Sequence, residues 1–439
     1  MSLRFSVIVA TQGLKKRPSL RGTLRALKNQ TYRNYEVITD DSPPNEYYAR
    51  NRAAKRANGD VLAFCDDDTV PPENWLANAA RYFENPKVQV LTGPVIGNVF
   101  GWGQELRINE PFWGIGCNLM VRRGAFFQVG GFIERWDLPR IPRGWRSDTA
   151  LLWSVIKHYG YDSYVHAEDV EMHHPGPMGS VWDPEVEAQF YRRFRQYVLR
   201  YIAPYDPRIS QFAVVQGLEK DPRVIRYLSH DQKPRLDWIR REIHHLDYVL
   251  HGRTKILDVG GEDGFLFAGT GWDYTVMDLD VYEVPDGRFI QHDADTKWPF
   301  DNDSFDVVVL GEILEHVERP NFVVKEATRV AKYMVLITVP NEYAWSSSKA
   351  PLLTREERMK RDGFTNVDDM ARHFASKSPY LKQLYPESKK PHLWHVRWFT
   401  RTELEALIKN NVDSFDYAIS EIKLPEWSWF TVKIRKKLD

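Results

Sequence analysis

Hydrophobic and polar positions along the 439 residues follow two alternating rhythms. Short β-branched runs such as Phe5–Ala10 (FSVIVA) and 61–65 (VLAFC) read as strands; between them apolar residues recur every three or four positions, the spacing of one helix face. In the first half this predicts strands at 5–10, 35–39, 61–65 and 88–92, with helical patterns over 19–29 and 46–58. The second half repeats the scheme with strands at 255–259, 274–278, 288–291, 305–310 and 333–339, and closes on two more near 415–422 and 428–435. Such alternation implies open, mostly parallel sheets flanked by helices, with ligands at the carboxyl ends of the strands. The stretch 185–250 has helical spacing, as in EAQFYRRFRQYVLRYI, and is interrupted by Pro204, Pro207, Pro222 and Pro234. It reads as a helical connector with a boundary near 215–235, giving domains over 1–215 and 235–439.

Hydrophobic residues make up 43%, enough for a core in each half. Lys plus Arg and Asp plus Glu both number 60, so no general attraction to nucleic acid is expected. Two cysteines, Cys65 and Cys117, are too few for a secreted disulfide scaffold and favour a reducing compartment. The apolar run at the start is too short for a signal peptide, and no run approaches the 18 or so residues that span a bilayer. A cytoplasmic protein is expected. The basic, aromatic segment FYRRFRQYVLRYI leaves two readings, a helix packed on the first domain or a peripheral contact with the inner face of a membrane.

The strand at 61–65 runs directly into Asp66, Asp67 and Asp68. Adjacent carboxylates repel, and a hard divalent cation with open positions for phosphate oxygens would relieve that cost, as would solvation in an acidic turn. Asp40 and Asp41 follow the strand at 35–39, where a carboxylate would meet a base or ribose, or form an Asx turn into Ser42–Pro43–Pro44. From about residue 4 to 180 the chain resembles a family-2 glycosyltransferase of the GT-A (Rossmann-like) fold. The matching strings, in order, are SVIVAT, NYEVITDDS, ARNRAAKRANGDVLAFCDDDTVPPENWL, GIGCNLMVRRGAFFQVGGFIERW, WRSDTALLWSVIKHYGY and VEMHHPGP.

That resemblance implies a nucleotide-diphosphate sugar donor, a glycan or lipid-linked acceptor and a divalent cation, Mn2+ or Mg2+. It puts Thr11 and Asp41 (or Asp40) against the base and ribose, and Arg50 near the diphosphate. Asp66 to Asp68 become the D-x-D element, with Asp68 the metal ligand and Asp66 and Asp67 on the nucleotide-sugar, Asp66 nearer its ribose. Asp148 is implied as the acceptor-activating base, and His174, with His173 as the alternative, as a further metal ligand. Ser147 and Ala150 depart from the family's acidic residues around Asp148, which alternatively caps a helix at 149–158.

The strand at 255–259 passes into DVGGEDGFLF, where Asp258, Gly260, Gly261 and Gly264 sit in a strand-to-helix turn suited to close approach of a ligand. The next strand ends at Asp278, positioned to hold ribose hydroxyls. On these residues a nicotinamide cofactor is an open alternative. Residues 254–400 resemble class I S-adenosylmethionine methyltransferases, with a seven-stranded Rossmann-like sheet. The matching strings are ILDVGGEDG, MDLD, HDADTKWPFDNDSFDVVVLGEILEHVERP, TVPN and HVRWFTRTELEALI.

By that resemblance Gly260 and Gly264 line the methionine part of S-adenosylmethionine, Asp278 holds the ribose, and Asp293 and Ala294 flank the adenine. Glu312, Glu315 and His316, on a helix and loop, face the methyl donor. His316, or else His392 or His395, would be the base, although His316 also fits a structural place at the end of an LEHV helix. Glu262 replaces the family's middle glycine. The expected fold is α/β with two domains. The expected function is sugar transfer followed by methylation of a glycan hydroxyl; the alternatives are a monofunctional enzyme with one degenerate, glycan-positioning domain and a nucleotide-sugar oxidoreductase.

Overall fold

The computed structural model describes residues 3–11, 16–97, 105–140, 146–176, 182–341, 399–412, 415–424 and 428–436. The chain divides into two compact units, Met1–Leu218 with Asp247–Gly252, and Glu219–Leu246 with Arg253–Asp439. The stretch read as one connector is thus split. Its first part, to Leu218, belongs to the first unit and Glu219–Leu246 to the second, while Asp247–Gly252 returns to the first. Burial explains that return: Asp247 accepts hydrogen bonds from Arg200 (2.6 Å) and from the Tyr201 hydroxyl (2.7 Å) within the first unit. The prolines of this region also act differently from expectation. Pro184, Pro207 and Pro222 open helices, each behind an aspartate (Asp183, Asp206, Asp221) whose side chain accepts from the helix's first free N–H groups.

In the first unit, β1 (Phe5–Ala10), β2 (Tyr35–Asp40), β3 (Val61–Asp66), β4 (Val90–Thr92), β7 (Leu119–Arg122) and β8 (Tyr164–His166) form a sheet of order β2-β1-β3-β7-β4-β8. Only β7 runs against its neighbours. Strands β1 and β3 are buried along nearly their whole length because helices cover both faces, hence their unbroken apolar runs. The main helices are α1 (Leu20–Lys28), α2 (Glu46–Arg56), α3 (Trp75–Phe83), α4 (Arg123–Gln128), α5 (Ser147–Tyr159) and α6 (Pro184–Tyr201). The apolar face of α6 packs inward, with Phe190 and Tyr197 stacked on Trp153 at 5.2 and 5.3 Å. No helix among the described residues is long and apolar enough to cross a membrane. Cys65 and Cys117 are both free and buried in this unit.

A second sheet, β6-β5-β9, pairs β5 (Val95–Gly97) with β6 (Leu106–Ile108) and, in parallel, with β9 (Met172–His174). Asn118 ties it to the main sheet. Its amide donates to the carbonyls of Pro94 (3.0 Å) and Val170 (2.7 Å), and its oxygen accepts from the Trp75 indole (2.9 Å). All three bonds are buried.

The second unit holds β10 (Lys255–Val259), β11 (Asp273–Asp278), β12 (Arg288–Gln291), β13 (Phe305–Gly311), β14 (Ala331–Pro340), β15 (Phe415–Lys423) and β16 (Ser428–Lys436) in the order β12-β11-β10-β13-β14-β16-β15. Counted within the unit this is 3-2-1-4-5-7-6, with only the seventh strand antiparallel to the rest. Helix α7 (Pro207–Val215) still belongs to the first unit; α8 (Pro222–Ser229), α9 (Lys233–Val249) and α10 (Pro320–Val330) complete the chain order to β14. The tryptophan of the WPF string, Trp298, is fully buried and joins α10 through its N–H to Glu326 (2.8 Å). Both halves are therefore α/β, the first GT-A-like and the second with class I methyltransferase topology.

The Asn118 node yields a prediction. Asn118→Ala leaves the Trp75 indole N–H and the Val170 carbonyl unpaired, while the Pro94 carbonyl keeps the Met172 N–H, and should lower stability by about 2 kcal/mol, read as an earlier denaturant midpoint. Asn118→Asp should be no better, because it sets an anion against two carbonyls.

Candidate functional site

In the first unit the chemistry gathers where β3 ends. Asp66 closes the strand, and the turn that follows is held by the Thr69 hydroxyl on the Asp66 carbonyl (2.9 Å). Ligand atoms of Asp66, Asp68 and His174 all lie within 4.8 Å of one another. His174 Nε2 stands 3.6 Å from Asp68 Oδ1, and its Nδ1 bonds the Gly176 carbonyl at 2.6 Å. That second contact puts the proton on Nδ1 and leaves a lone pair on Nε2 facing the carboxylates. His173, one residue earlier, projects from the opposite face of β9 and lies 3.8 Å from Glu171 instead. Asp67 is buried outside this trio, 4.0 Å from Arg17. Burial raises the Asp68 carboxyl above its ordinary value, and Asp66 and Asp67 add to the shift while His174 opposes it.

Arg50 is buried and bonds Asp66 directly, with its guanidinium over the rings of Tyr47 and Phe132 at 5.3 and 5.5 Å. A Cβ on Gly116 would come 2.6 Å from Arg50 Nη1, so a side chain here would push the guanidinium from its place. Asp148 sits on the other side of Gly116, whose N–H donates to its Oδ2 (3.0 Å); Oδ1 takes the N–H of Thr149 (2.8 Å). Asp148 is not the helix cap. Helix α5 starts at Ser147, behind Arg146 in a left-handed conformation (φ 66°), and Asp148 lies in the first turn. Burial raises its pKa; the two N–H bonds and Arg50 oppose that. At the end of β2, Asp40 is buried, forms the Asx turn to Ser42 N (2.8 Å) and pairs with Arg56 (2.8 Å); Asp41 is exposed. Thr11 follows β1, its N–H on the Asp40 carbonyl (2.9 Å).

In the second unit Gly260 (φ 74°) and Gly264 (φ 72°) turn the chain after β10 in a conformation that favours glycine. A Cβ on Gly261 would fall 2.4 Å from Asp258 Oδ2. Asp258 is itself buried, with that Oδ2 lacking a hydrogen-bond partner among the described residues. Burial, together with Asp278 and Glu262, pushes its carboxyl up to about 8 against the pull of Arg235. Asp278 closes β11 and accepts the N–H groups of Glu262 (3.1 Å) and Asp280 (3.1 Å). Asp293 and Ala294 lie just past β12; the Asp293 side chain is exposed and takes the Asp295 N–H (2.9 Å), while the Ala294 carbonyl takes the Trp298 indole (3.0 Å).

Glu312 follows β13 with φ 59° and accepts from the Trp429 indole (3.3 Å). Glu315 is fully buried, and His316 Nε2 lies 3.9 Å from it. The expected helix over LEHV is absent. These residues form turns after the left-handed Glu312, and the helix starts only at Pro320. His392 and His395 lie outside the described residues.

Two arginines that pattern reading passed over reach this site. Arg235 on α9 donates to Thr338 (3.1 Å) and stands 3.9 Å from Glu312. Arg226 on α8 pairs with Glu262 (2.5 Å). Neither has a local signal, since each partner lies tens of residues away.

Residues 47–133 match the family model Glycosyl transferase family 2, and residues 257–335 match that of a Methyltransferase domain. The chain carries both domains, in that order. Glycosyltransferase AglE of Haloferax volcanii is 31% identical over 64 residues, which is 15% of this chain and 21% of that protein. The chain thus spans about a fifth of the length of that curated relative. Among solved structures, mannosyltransferase PcManGT from Pyrobaculum calidifontis, in complex with GDP-Man and Mn2+, is 13% identical with a TM-score of 0.34, covering 57% of this chain and 86% of that one. A SAM-dependent methyltransferase from Aquifex aeolicus is 11% identical with a TM-score of 0.29, covering 53% and 100%.

The raised Asp258 pKa makes stability pH-dependent. The folded state holds a proton that the unfolded carboxyl, near 4, gives up, so the contribution is present at low pH and is lost as pH rises through about 8. Melting temperature should therefore fall between about pH 4 and 8, the window between the two values, and Asp258→Asn should flatten that slope.

Proposed function

We propose that the chain is a bifunctional enzyme, transferring a sugar from a nucleotide-diphosphate donor to a glycan or lipid-linked acceptor and methylating a glycan hydroxyl with S-adenosylmethionine. The observation that carries this reading is the pair of distinct acidic sites at the strand ends of two separate sheets. One, Asp66, Asp68 and His174, has metal-ligand character; the other, Asp278 beside the glycine turn, belongs to no such group among the described residues.

In the first site two carboxylates and a tautomer-fixed imidazole form a donor set that suits a divalent cation, Mn2+ or Mg2+. Bound there, such an ion supplies charge neutralisation for the departing diphosphate. Asp67, Asp40, Asp41 and Thr11 would meet the base and ribose. Arg50, tied to Asp66, fixes that carboxylate and bears on the diphosphate through it. Asp148 takes the proton of the acceptor hydroxyl, which attacks the anomeric carbon from the face opposite the diphosphate, inverting it. Its raised pKa makes it a better base than an ordinary carboxylate.

In the second site the glycine turn, the buried Asp258 and the ribose-facing Asp278 fit an adenosyl cofactor, with Asp293 and Ala294 beside its adenine. Bound S-adenosylmethionine supplies an electrophilic methyl group. His316 receives the hydroxyl proton of the acceptor.

The test is a thermal-shift panel on the full chain. UDP or GDP with manganese and, separately, S-adenosylhomocysteine should each raise the melting temperature. Asp68→Ala should remove the first shift alone and Asp278→Ala the second alone. A response to one class only would end the bifunctional reading, and a response to a nicotinamide dinucleotide would redirect it. In a transfer assay Asp148→Asn should retain nucleotide binding while the rate falls roughly a hundredfold or more. The acid limb of the wild-type pH–rate profile should lie above the usual carboxylate range.

A further inference from the structure

Glu262 stands inside the glycine turn, in a left-handed conformation (φ 51°) that side chains rarely adopt. Its N–H donates to Asp278 Oδ2 at 3.1 Å. In the S-adenosylmethionine reading proposed above, with the ribose on Asp278, the cofactor's amino-acid arm would cross this turn and bring a carboxylate of its own. An unrestrained Glu262 side chain would meet it with like charge.

The Glu262 carboxylate is restrained. It lies 2.5 Å from the guanidinium of Arg226, on α8. Arg226 is in turn fixed over the Phe265 ring at 4.0 Å and stands 3.4 Å from Asp263. One turn earlier on the same helix, Arg223 bonds Asp286 (2.8 Å) and the Asp263 carbonyl (3.3 Å). Helix α8 therefore grips the turn at several points, and the Glu262 side chain is drawn toward the helix.

Resting on the S-adenosylmethionine reading, we propose that Arg226 is a positioning residue for that cofactor: it holds the Glu262 carboxylate away from the path of the donor's own carboxylate, so that residue 262 offers the site only its backbone. The replacement of a glycine by an acid is thereby tolerated, and Arg226 and Glu262 act as one unit.

The experiment is calorimetric titration of the full chain with S-adenosylhomocysteine and with 5′-methylthioadenosine, which keeps the nucleoside and sulfur but lacks the carboxylate arm. Arg226→Ala should weaken S-adenosylhomocysteine about fivefold, the scale of a partly exposed ion pair, and change methylthioadenosine by less than about twofold. Arg226→Lys should restore most of the loss. In a Glu262→Gly background Arg226→Ala should have no effect on S-adenosylhomocysteine, since the charge it restrains is gone. Equal weakening of both nucleosides, or an undiminished effect in the Glu262→Gly background, overturns the proposal. Failure of the unmutated chain to bind either nucleoside instead sinks the cofactor reading itself, and the two outcomes are distinguishable.

Discussion

Acidic side chains gathered at the carboxyl ends of parallel strands repel one another and lose hydration, and that cost has to be offset within each unit. Both units use arginines carried on helices. In the first, Arg50 of α2 lies between the Asp66 and Asp148 regions, bonded to one and bearing electrostatically on the other. In the second, Arg226 and Arg235 face Glu262, Glu312 and Asp258. The pairing fixes where each carboxylate points. A free carboxylate on a turn samples several rotamers; one bonded to a ring-stacked guanidinium keeps one. Removing such an arginine leaves a partly desolvated anion, which costs more than the bond alone contributes.

Some of the backbone strain falls at the same places. Of the seven described non-glycine residues with positive φ, Arg146, Glu262 and Glu312 lie at or close beside candidate site residues, while Phe112, Trp136, His251 and Asp303 lie elsewhere. Arg146 turns the chain into α5 two residues before Asp148, held by its Nε on Glu187 at 2.8 Å. Glu312 turns the end of β13 back toward the Trp429 indole. Strain of this kind persists where neighbouring contacts over-determine the conformation.

The central strands were legible because burial on both faces leaves an unbroken apolar run, as in FSVIVA and VLAFC. In the small sheet only β9 was, through the alternation of VEMHH. Strands β5 and β6 have three residues each, too few to show a period, and β5 is held by its pairing with β9. The acidic triplet and the histidine pair were visible, but choosing His174 over His173 needed the pleat of β9 and the Gly176 carbonyl. Where an LEHV helix was expected the chain makes turns after the left-handed Glu312, a conformation that pattern reading cannot see in a non-glycine residue. The Arg226–Glu262 pair was illegible because it joins α8 to a turn 36 positions later.

Both thiols of the chain, Cys65 and Cys117, are sealed in the first unit, and burial raises both above their ordinary value, the former to about 12. At neutral pH they are protonated and out of reach of reagents. Alkylation therefore waits on opening of that unit, while opening of the second exposes no sulfhydryl at all. Pulse labelling with a thiol reagent thus records the breathing of one half against a silent background from the other.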